Sequence, residues 1–593
     1  MTPAMLYKYL RQFCTVPVAK TLNRQVVFWF SLSMTFALIY GILGLQQAFS
    51  SEYVVQDDAR QHVFWMQRFF DPELFPNDFI ADYFQSVAPQ AYTALYQIMA
   101  SVGINPLFLS KVLPIVLGLI TTGYCFGVAL EILPVPAAGF IASLLLNQSL
   151  WLKEDLGSAT ARAFLYPLFL AFLYYFLRRA WLPTLVAIAL QGLFYPQTLL
   201  ISAGVLILQL VCWERSRPRL SRNRNDYLFC AAGLVVAFLV MLPYLFESSP
   251  FGPTISEAQA RALPEFLPGG RTQFFASGLW RYWICGRRSG FLPDEWCQPS
   301  WRASIQPFLL SPPIWLGFLL PILLLFPRSF PLVKYVKQAR VLLDIAIVSF
   351  FMFFAAHAVL FKLYLPSRYT QHSLRIVLAI ATGIALILIL DALLRWAEQP
   401  TRKFFVFGVT ALVGAALILY PSFLRLTGQE FPSPGYVTGT VPELYAFFRQ
   451  QPKDIVIASL TEETDNLPTF SQRSVLASRE LAIPYHVGYQ REFSQRATDL
   501  VRAQYSQDLA TVENVIQKYG IDFWLLDRAA FSPEYLARHR WLSQRQFQPD
   551  IQTIRARLAQ GSVPALATFI DRCSVFESQG LVVMQAECIA SAK

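Results

Sequence analysis

The chain has 593 residues, 55% of them hydrophobic and only 15% charged, with repeated apolar runs of membrane-spanning length. This excludes an ordinary soluble enzyme and defines a polytopic membrane protein with a soluble appendage. The net charge of +11 does not signal a nucleic-acid partner. The basic residues cluster in short connections (Arg178-Arg179, the run Arg215 to Arg224, and Arg328 to Arg340), as the positive-inside rule expects.

In chain order, Lys8, Arg11, Lys20 and Arg24 precede the first apolar segment and place the N-terminus in the cytoplasm. That segment, Val26 to Gln47, is longer than a typical signal h-region and reads as a retained signal anchor. Spans are predicted near 26–46, 107–131, 134–152, 162–178, 181–196, 197–213, 227–247, 308–327, 341–361, 375–396 and 404–421, about eleven in all. An odd number from a cytoplasmic start puts the C-terminal region outside. Val87 to Gly103 is half apolar and is expected to be an interfacial or partly embedded helix. The outward loops are then 47–105, 153–162, 247–307 and 362–374.

After Leu424 no apolar run reaches membrane length. Asp454–Ala458 and Asp522–Asp527 read as buried strands, and Leu509–Tyr519 as a helix ending at a Gly520 C-cap. The expected organisation is a multi-span domain over 1–424 and a small extracytoplasmic α/β domain over 425–593. Cys285 and Cys297 share an outer loop, and Cys573 and Cys588 share the C-terminal region. Both pairs are disulfide candidates, with free thiols as the alternative.

Four outward polar groups could carry chemistry. The first is Asp57, Asp58, Arg60 and His62, just past the first span, with Asp71, Glu73, Asp78 and Asp82 in the same loop. The second is Lys153, Glu154, Asp155 and Arg162. The third is Lys111. The fourth is Lys362, Arg368, Tyr369, His372 and Arg375. A carboxylate can take the proton of an attacking hydroxyl, and Arg can grip phosphate oxygens bidentately. Ionisable groups at a membrane boundary are costly unless paired or wet, so their concentration on one side is informative. Plainer readings stand beside these: Asp57 and Asp58 as helix caps, Lys111, Arg368 and Arg375 as snorkelling cations, and Glu154-Asp155 as a solvated loop.

The layout resembles the GT-C class of integral-membrane glycosyltransferases. The resemblance implies a catalytic Asp in the first outer loop, which falls on Asp58 with Asp57 as runner-up. It implies a second acidic motif at Glu154-Asp155. It also implies phosphate-facing cations: Arg368 in Leu365-Pro366-Ser367-Arg368-Tyr369, helped by Arg162, Lys111 or Arg375, with Arg60, His62, Tyr369 and His372 in support. The expected donor is a sugar on a polyprenyl-phosphate carrier, and the acceptor a hydroxyl on an unidentified glycan, lipid or protein. The expected location is a bacterial plasma membrane, in contact with its lipids. The Trp-Trp-Asp acceptor motif of oligosaccharyltransferases is missing, which argues against transfer to Asn sequons. Glu-Asp in place of Asp-x-Asp leaves a divalent cation (Mg or Mn) open. The alternatives are a flippase for lipid-linked sugars or a non-catalytic envelope assembly protein on the same fold.

Overall fold

The computed structural model describes residues 11–18, 23–214, 217–246, 249–293, 296–297, 311–397 and 402–591. Lys8, Lys20, Arg215 and parts of the 247–307 loop and the 308–327 segment lie outside the described residues.

Asn23 caps the first long helix, α1 (Arg24–Ala48), by accepting from the amide of Val26. The chain then forms a short strand β1 (Val54–Gln56) and three short helices: α2 (Ala59–His62), α3 (Phe79–Ser86) and α4 (Gln90–Ser101). Helix α4 covers the uncertain 87–103 stretch. Its 12 residues reach about 18 Å, too short to cross a bilayer core of ~30 Å.

Asn105 and Pro106 open α5 (Pro106–Ile132), the Asn side chain accepting from Leu107 and Phe108 amides. There follow α6 (Pro136–Trp151), α7 (Glu154–Gly157), α8 (Leu165–Leu177), α9 (Trp181–Phe194), α10 (Pro196–Leu208), α11 (Arg224–Phe246), α12 (Arg340–Ala358), α13 (Ser367–Trp396) and α14 (Lys403–Leu426).

Six helices among the described residues (α1, α5, α11, α12, α13 and α14) are long and apolar enough to cross a membrane. The other predicted spans contain helix, but shorter than expected. Helices α8, α9 and α10 and the turns from Pro313 to Leu324 are apolar, and α6 has 16 residues. Prolines at 136, 196 and 313 start new helices inside continuous apolar sequence, which is why hydropathy overstates their length.

The core of the bundle is α6 against α13. Every residue of α6 except Ile141 is buried. Gly383 permits the close approach, since a Cβ there would fall 2.6 Å from the Ala138 carbonyl oxygen. Polar side chains tie neighbours together where water cannot compete. Asn147 donates to Thr122 Oγ1 at 2.8 Å, and Gln148 to the Leu417 carbonyl on α14 at 2.8 Å. Helices α1 and α14 are mostly uncovered, with Phe404 and Leu412 outward, as lipid-facing helices are.

The C-terminal residues build a five-stranded mixed sheet. Its strands are β3 (Val456–Ser459), β4 (Ser474–Val475), β5 (Phe523–Asp527), β6 (Ser574–Ser578) and β7 (Leu581–Gln585), in spatial order β4-β3-β5-β7-β6. Strand β3 is parallel to β4 and β5, and β7 runs antiparallel to β5 and β6. Residues Leu509–Tyr519 form a helix that ends on Gly520 at φ +62°, and the chain turns straight into β5. The preceding strand β2 (Tyr436–Thr438) leaves this segment and pairs antiparallel with β1, Gln56 opposite Tyr436. That pairing fixes the loop carrying Asp57 and Asp58.

Candidate active site

Asp57 and Asp58 occupy the turn between β1 and α2. The Asp57 amide donates to the Gly435 carbonyl at 3.0 Å, so the turn is held by the C-terminal linker. Gly435 has φ +76°, and a Cβ there would meet Glu154 Cγ at 2.8 Å. Gly157 is equally constrained, its Cβ position lying 2.4 Å from Pro434 Cβ. The two glycines allow the linker to lie directly across the second acidic motif.

Asp58 stands at the N-cap position of α2 but makes no capping bond. Its Oδ2 instead accepts from Arg162 Nη2. The same guanidinium reaches Asp155, with Nε 3.1 Å from Oδ1. Arg162 thus bridges the two acidic motifs. Asp155 Oδ2 also accepts from Arg375 Nη1 at 2.9 Å and from the Tyr166 hydroxyl at 2.8 Å, with His372 Nδ1 3.3 Å away. Burial alone would raise the Asp155 carboxyl. The opposing pull of Arg162, His372 and Arg375 wins and holds it well below the usual range. Among the described residues Glu154 makes no such ion pair, and Arg162 and Arg287 act on it only at longer range. Burial, with Asp58 nearby, raises its carboxyl.

Side-chain exposure separates the roles. Asp155 is 10% exposed and saturated with donors, whereas Asp58 is 24% exposed with one face open. Asp57 is held by Arg60, which also donates to Asn466 Oδ1 at 3.0 Å and lies 3.6 Å from Glu480. Glu480 further accepts from Gln61 and from Arg271 Nη2 at 3.1 Å. Arg60 therefore ties the first loop to the sheet region and faces away from a ligand. His62 packs edge-on against Phe84 and feels Asp58 and Arg162; its burial keeps the imidazole below its ordinary pKa.

Of the expected phosphate ligands, Arg162 and Arg375 are committed to carboxylates. Lys111 is set apart, its ammonium 4.9 Å from the Phe49 ring centroid in a separate cavity. Arg368, in the first turn of α13, is different. Among the described residues its guanidinium makes no hydrogen bond or ion pair, and its electrostatic neighbours are Arg162, Tyr195, Tyr364 and Asp155. Close to it are two buried polar atoms without a partner, the Tyr195 hydroxyl and His372 Nε2. Tyr369 turns its hydroxyl to the Leu363 carbonyl at 2.8 Å and braces its own segment. Asp78 caps α3, while Asp71 and Glu73 pair with Lys453.

The sequence reading missed Tyr166, Tyr195, Glu480 and the Arg287-Arg288 pair. Tyr166 carried a signal, lying four residues past Arg162 at a spacing that shares a helix face. Arg287 faces Glu154, and the carbonyls of Arg287 and Arg288 receive the Ser367 hydroxyl and amide at 3.2 and 3.3 Å. These bonds seat a loop, in which Cys285 and Cys297 are joined, against the start of α13. Cys573 and Cys588 are joined near the C-terminus.

The carboxylates that a divalent cation would bridge are occupied by guanidinium groups. Among the described residues no group of three or more His, Cys, Asp or Glu is arranged to hold a metal ion. The donor set does not fit the cation left open by the sequence.

No protein-family model matches the sequence, and comparison with curated proteins gives no match. Solved structures do match. The Archaeoglobus fulgidus oligosaccharyltransferase tethered to an acceptor peptide with the NVT sequon aligns with TM-score 0.56 at 12% identity, over 89% of this chain and 72% of that one. The same organism's oligosaccharyltransferase AglB, in complex with an inhibitory peptide and a dolichol-phosphate, gives 0.54 at 11%, over 90% and 72%. A mutant of the mycobacterial arabinofuranosyltransferase AftD gives 0.50 at 14%, over 86% of this chain but 37% of that one. These neighbours are GT-C glycosyltransferases, and this chain has their fold. With six helices of spanning length on that fold, it is a multi-pass membrane protein.

Proposed function

We propose that the protein is a membrane glycosyltransferase that moves a sugar from a polyprenyl-phosphate carrier to an acceptor hydroxyl outside the cytoplasm. One observation carries this reading. A partly open carboxylate, Asp58, and a guanidinium without a hydrogen-bond or ion-pair partner among the described residues, Arg368, flank the same Arg162–Asp155 pair. A base and a phosphate-binding cation on either side of a rigid centre are what direct displacement at an anomeric carbon needs.

In the proposed step the acceptor oxygen attacks the sugar C1 and its proton passes to Asp58. The C1–O bond to phosphate breaks, and the electron pair leaves with the phosphate, which Arg368 and the Tyr195 hydroxyl receive. One displacement gives inversion. Arg162 holds the Asp58 carboxylate in its orientation, and Asp155, locked by Arg375, Tyr166 and His372, keeps Arg162 in place. No metal ion enters this step. In this reading Asp58 and the sheet region lie on the extracytoplasmic side of a bacterial plasma membrane, with residues 425–593 as a separate domain closing the site.

The test is mass spectrometry of co-purified lipids from the parent and an Arg368→Ala variant, followed by a transfer assay of Asp58→Asn. Enrichment of a polyprenyl phosphate or its sugar in the parent alone, with no transfer by the folded Asp58→Asn protein, is expected. Equal lipid content, or full activity of Asp58→Asn, would remove the corresponding residue from the mechanism.

A further inference from the structure

A cavity of about 160 Å³ lies apart from the acidic cluster, where the end of α1, the start of α5 and the sheet region meet. Its polar lining is Glu52, Lys111, Arg449 and Thr469, and its apolar rim includes Phe49 and Phe108. Lys111 and Phe49 belong to the membrane helices and their ends. Arg449 and Thr469 come from the sheet region, Arg449 closing the helix α15 (Pro442–Arg449) and Thr469 lying in the short α16 (Leu467–Phe470).

Three features point to a ligand. The Lys111 ammonium rests on the Phe49 ring and makes no hydrogen bond or ion pair among the described residues. The Thr469 hydroxyl is 1% exposed, lines the cavity and has no partner. Arg449 spends one nitrogen on the Phe470 carbonyl at 2.7 Å and is otherwise exposed. Two cations and an unused hydroxyl converging on one cavity match a phosphodiester.

The surroundings decide between a lipid and a free anion. Phe49 and Phe108 are 46% and 51% exposed, with ring centroids 5.8 Å apart, at the same end of two helices long enough to cross a membrane. Aromatic rings in that position lie at headgroup depth, where a glycerol backbone and acyl chains can run along them. Glu52 completes the selection. A carboxylate beside the phosphate opposes a second anionic group and takes hydrogen bonds from a primary ammonium.

We infer that this cavity holds the headgroup of an ethanolamine-type phospholipid, its phosphate on Lys111, Arg449 and Thr469 and its ammonium on Glu52. The bound lipid joins the membrane helices to the sheet region. This inference does not depend on the sugar-transfer reading.

The experiment is native mass spectrometry of the full-length protein released from nanodiscs of equal phosphatidylethanolamine, phosphatidylcholine and phosphatidylglycerol. One retained phosphatidylethanolamine, enriched about fivefold over the other two (~1 kcal/mol), is expected for the parent. Lys111→Gln and Thr469→Val should lose the retained lipid. Glu52→Gln, a change at an exposed side chain that leaves folding intact, should keep a lipid but lose the preference. Three results would overturn the inference: no class enriched in the parent, the same enrichment in all variants, or displacement of the lipid by millimolar inorganic phosphate.

Discussion

The two ends of α13 both bury an aspartate among arginines, yet the proposed catalytic site sits at only one of them. At the far end Asp391 accepts from Arg395 Nε at 2.7 Å and from Thr15 at 3.2 Å, with Arg11 3.8 Å away. At the near end Asp155 is held as tightly, but around it stand an open carboxylate, an unpartnered arginine and two unsatisfied polar atoms. Arg368 and Asp391 are separated by roughly 35 Å of helix. A buried ion pair alone only holds helices together. A site needs groups left over after pairing, and among the described residues these stand at the near end.

The sharpest way to break this comparison is to neutralise one aspartate at each end. Asp58→Asn should lower transfer by ~10²–10⁴ with no loss of folded protein, the range for a general base. Asp391→Asn should leave transfer intact, and an equal loss in both, measured in one reconstituted assay, would end the distinction. Removing one cation at each end comes next. Arg375→Ala leaves Asp155 buried and under-compensated, so thermal unfolding in detergent should report a loss of ~3–5 kcal/mol. Arg395 is 41% exposed but Asp391 is buried, and with Thr15 and Arg11 still beside it the loss of Arg395 should cost about 1–3 kcal/mol, less than that of Arg375.

Acidity sharpens the contrast further. The folded Asp155 carboxyl lies below its usual 3.8, so its stabilisation is complete above that pH and is lost only as pH falls through the lower folded value. His62 lies below its usual 6.5 because burial favours the neutral ring. Its contribution therefore holds above pH 6.5 and declines below it. His62→Gln should flatten part of the stability loss below pH 6.5, read from unfolding midpoints across a pH series. The smallest effect concerns chelation. With guanidinium groups on Asp58 and Asp155, transfer should be unchanged by EDTA, and loss of activity restored by Mg or Mn would show that a cation displaces Arg162.

The membrane helices and the strands at Val456 and Phe523 were legible because hydrophobic period and length are local properties. Asp58 stood out as a candidate because adjacent charged residues just past a span have few structural uses. The partners were not legible. Arg162 and Arg375 look like phosphate ligands in sequence, and only the meeting of α7, the 161–164 turn and the start of α13 turns both onto Asp155. Glu480 holds Gln61 across 419 positions, and no window finds such a contact. Lys111 faces away from the cluster because α5 presents it toward the end of α1, a rotation that an almost uniformly apolar helix does not encode.

The contact between Asp57 and Gly435 has a consequence in time. The acidic turn is synthesised early, and the strand that fixes it follows 378 positions later. At about 5–20 residues per second that interval is roughly 20–75 s of translation. Throughout it the acidic turn has no partner strand, and Glu154-Asp155 has no linker lying across it. A nascent chain of this protein therefore carries its acids in an unassembled state until Gly435 and the strand after it are made and bring them into register.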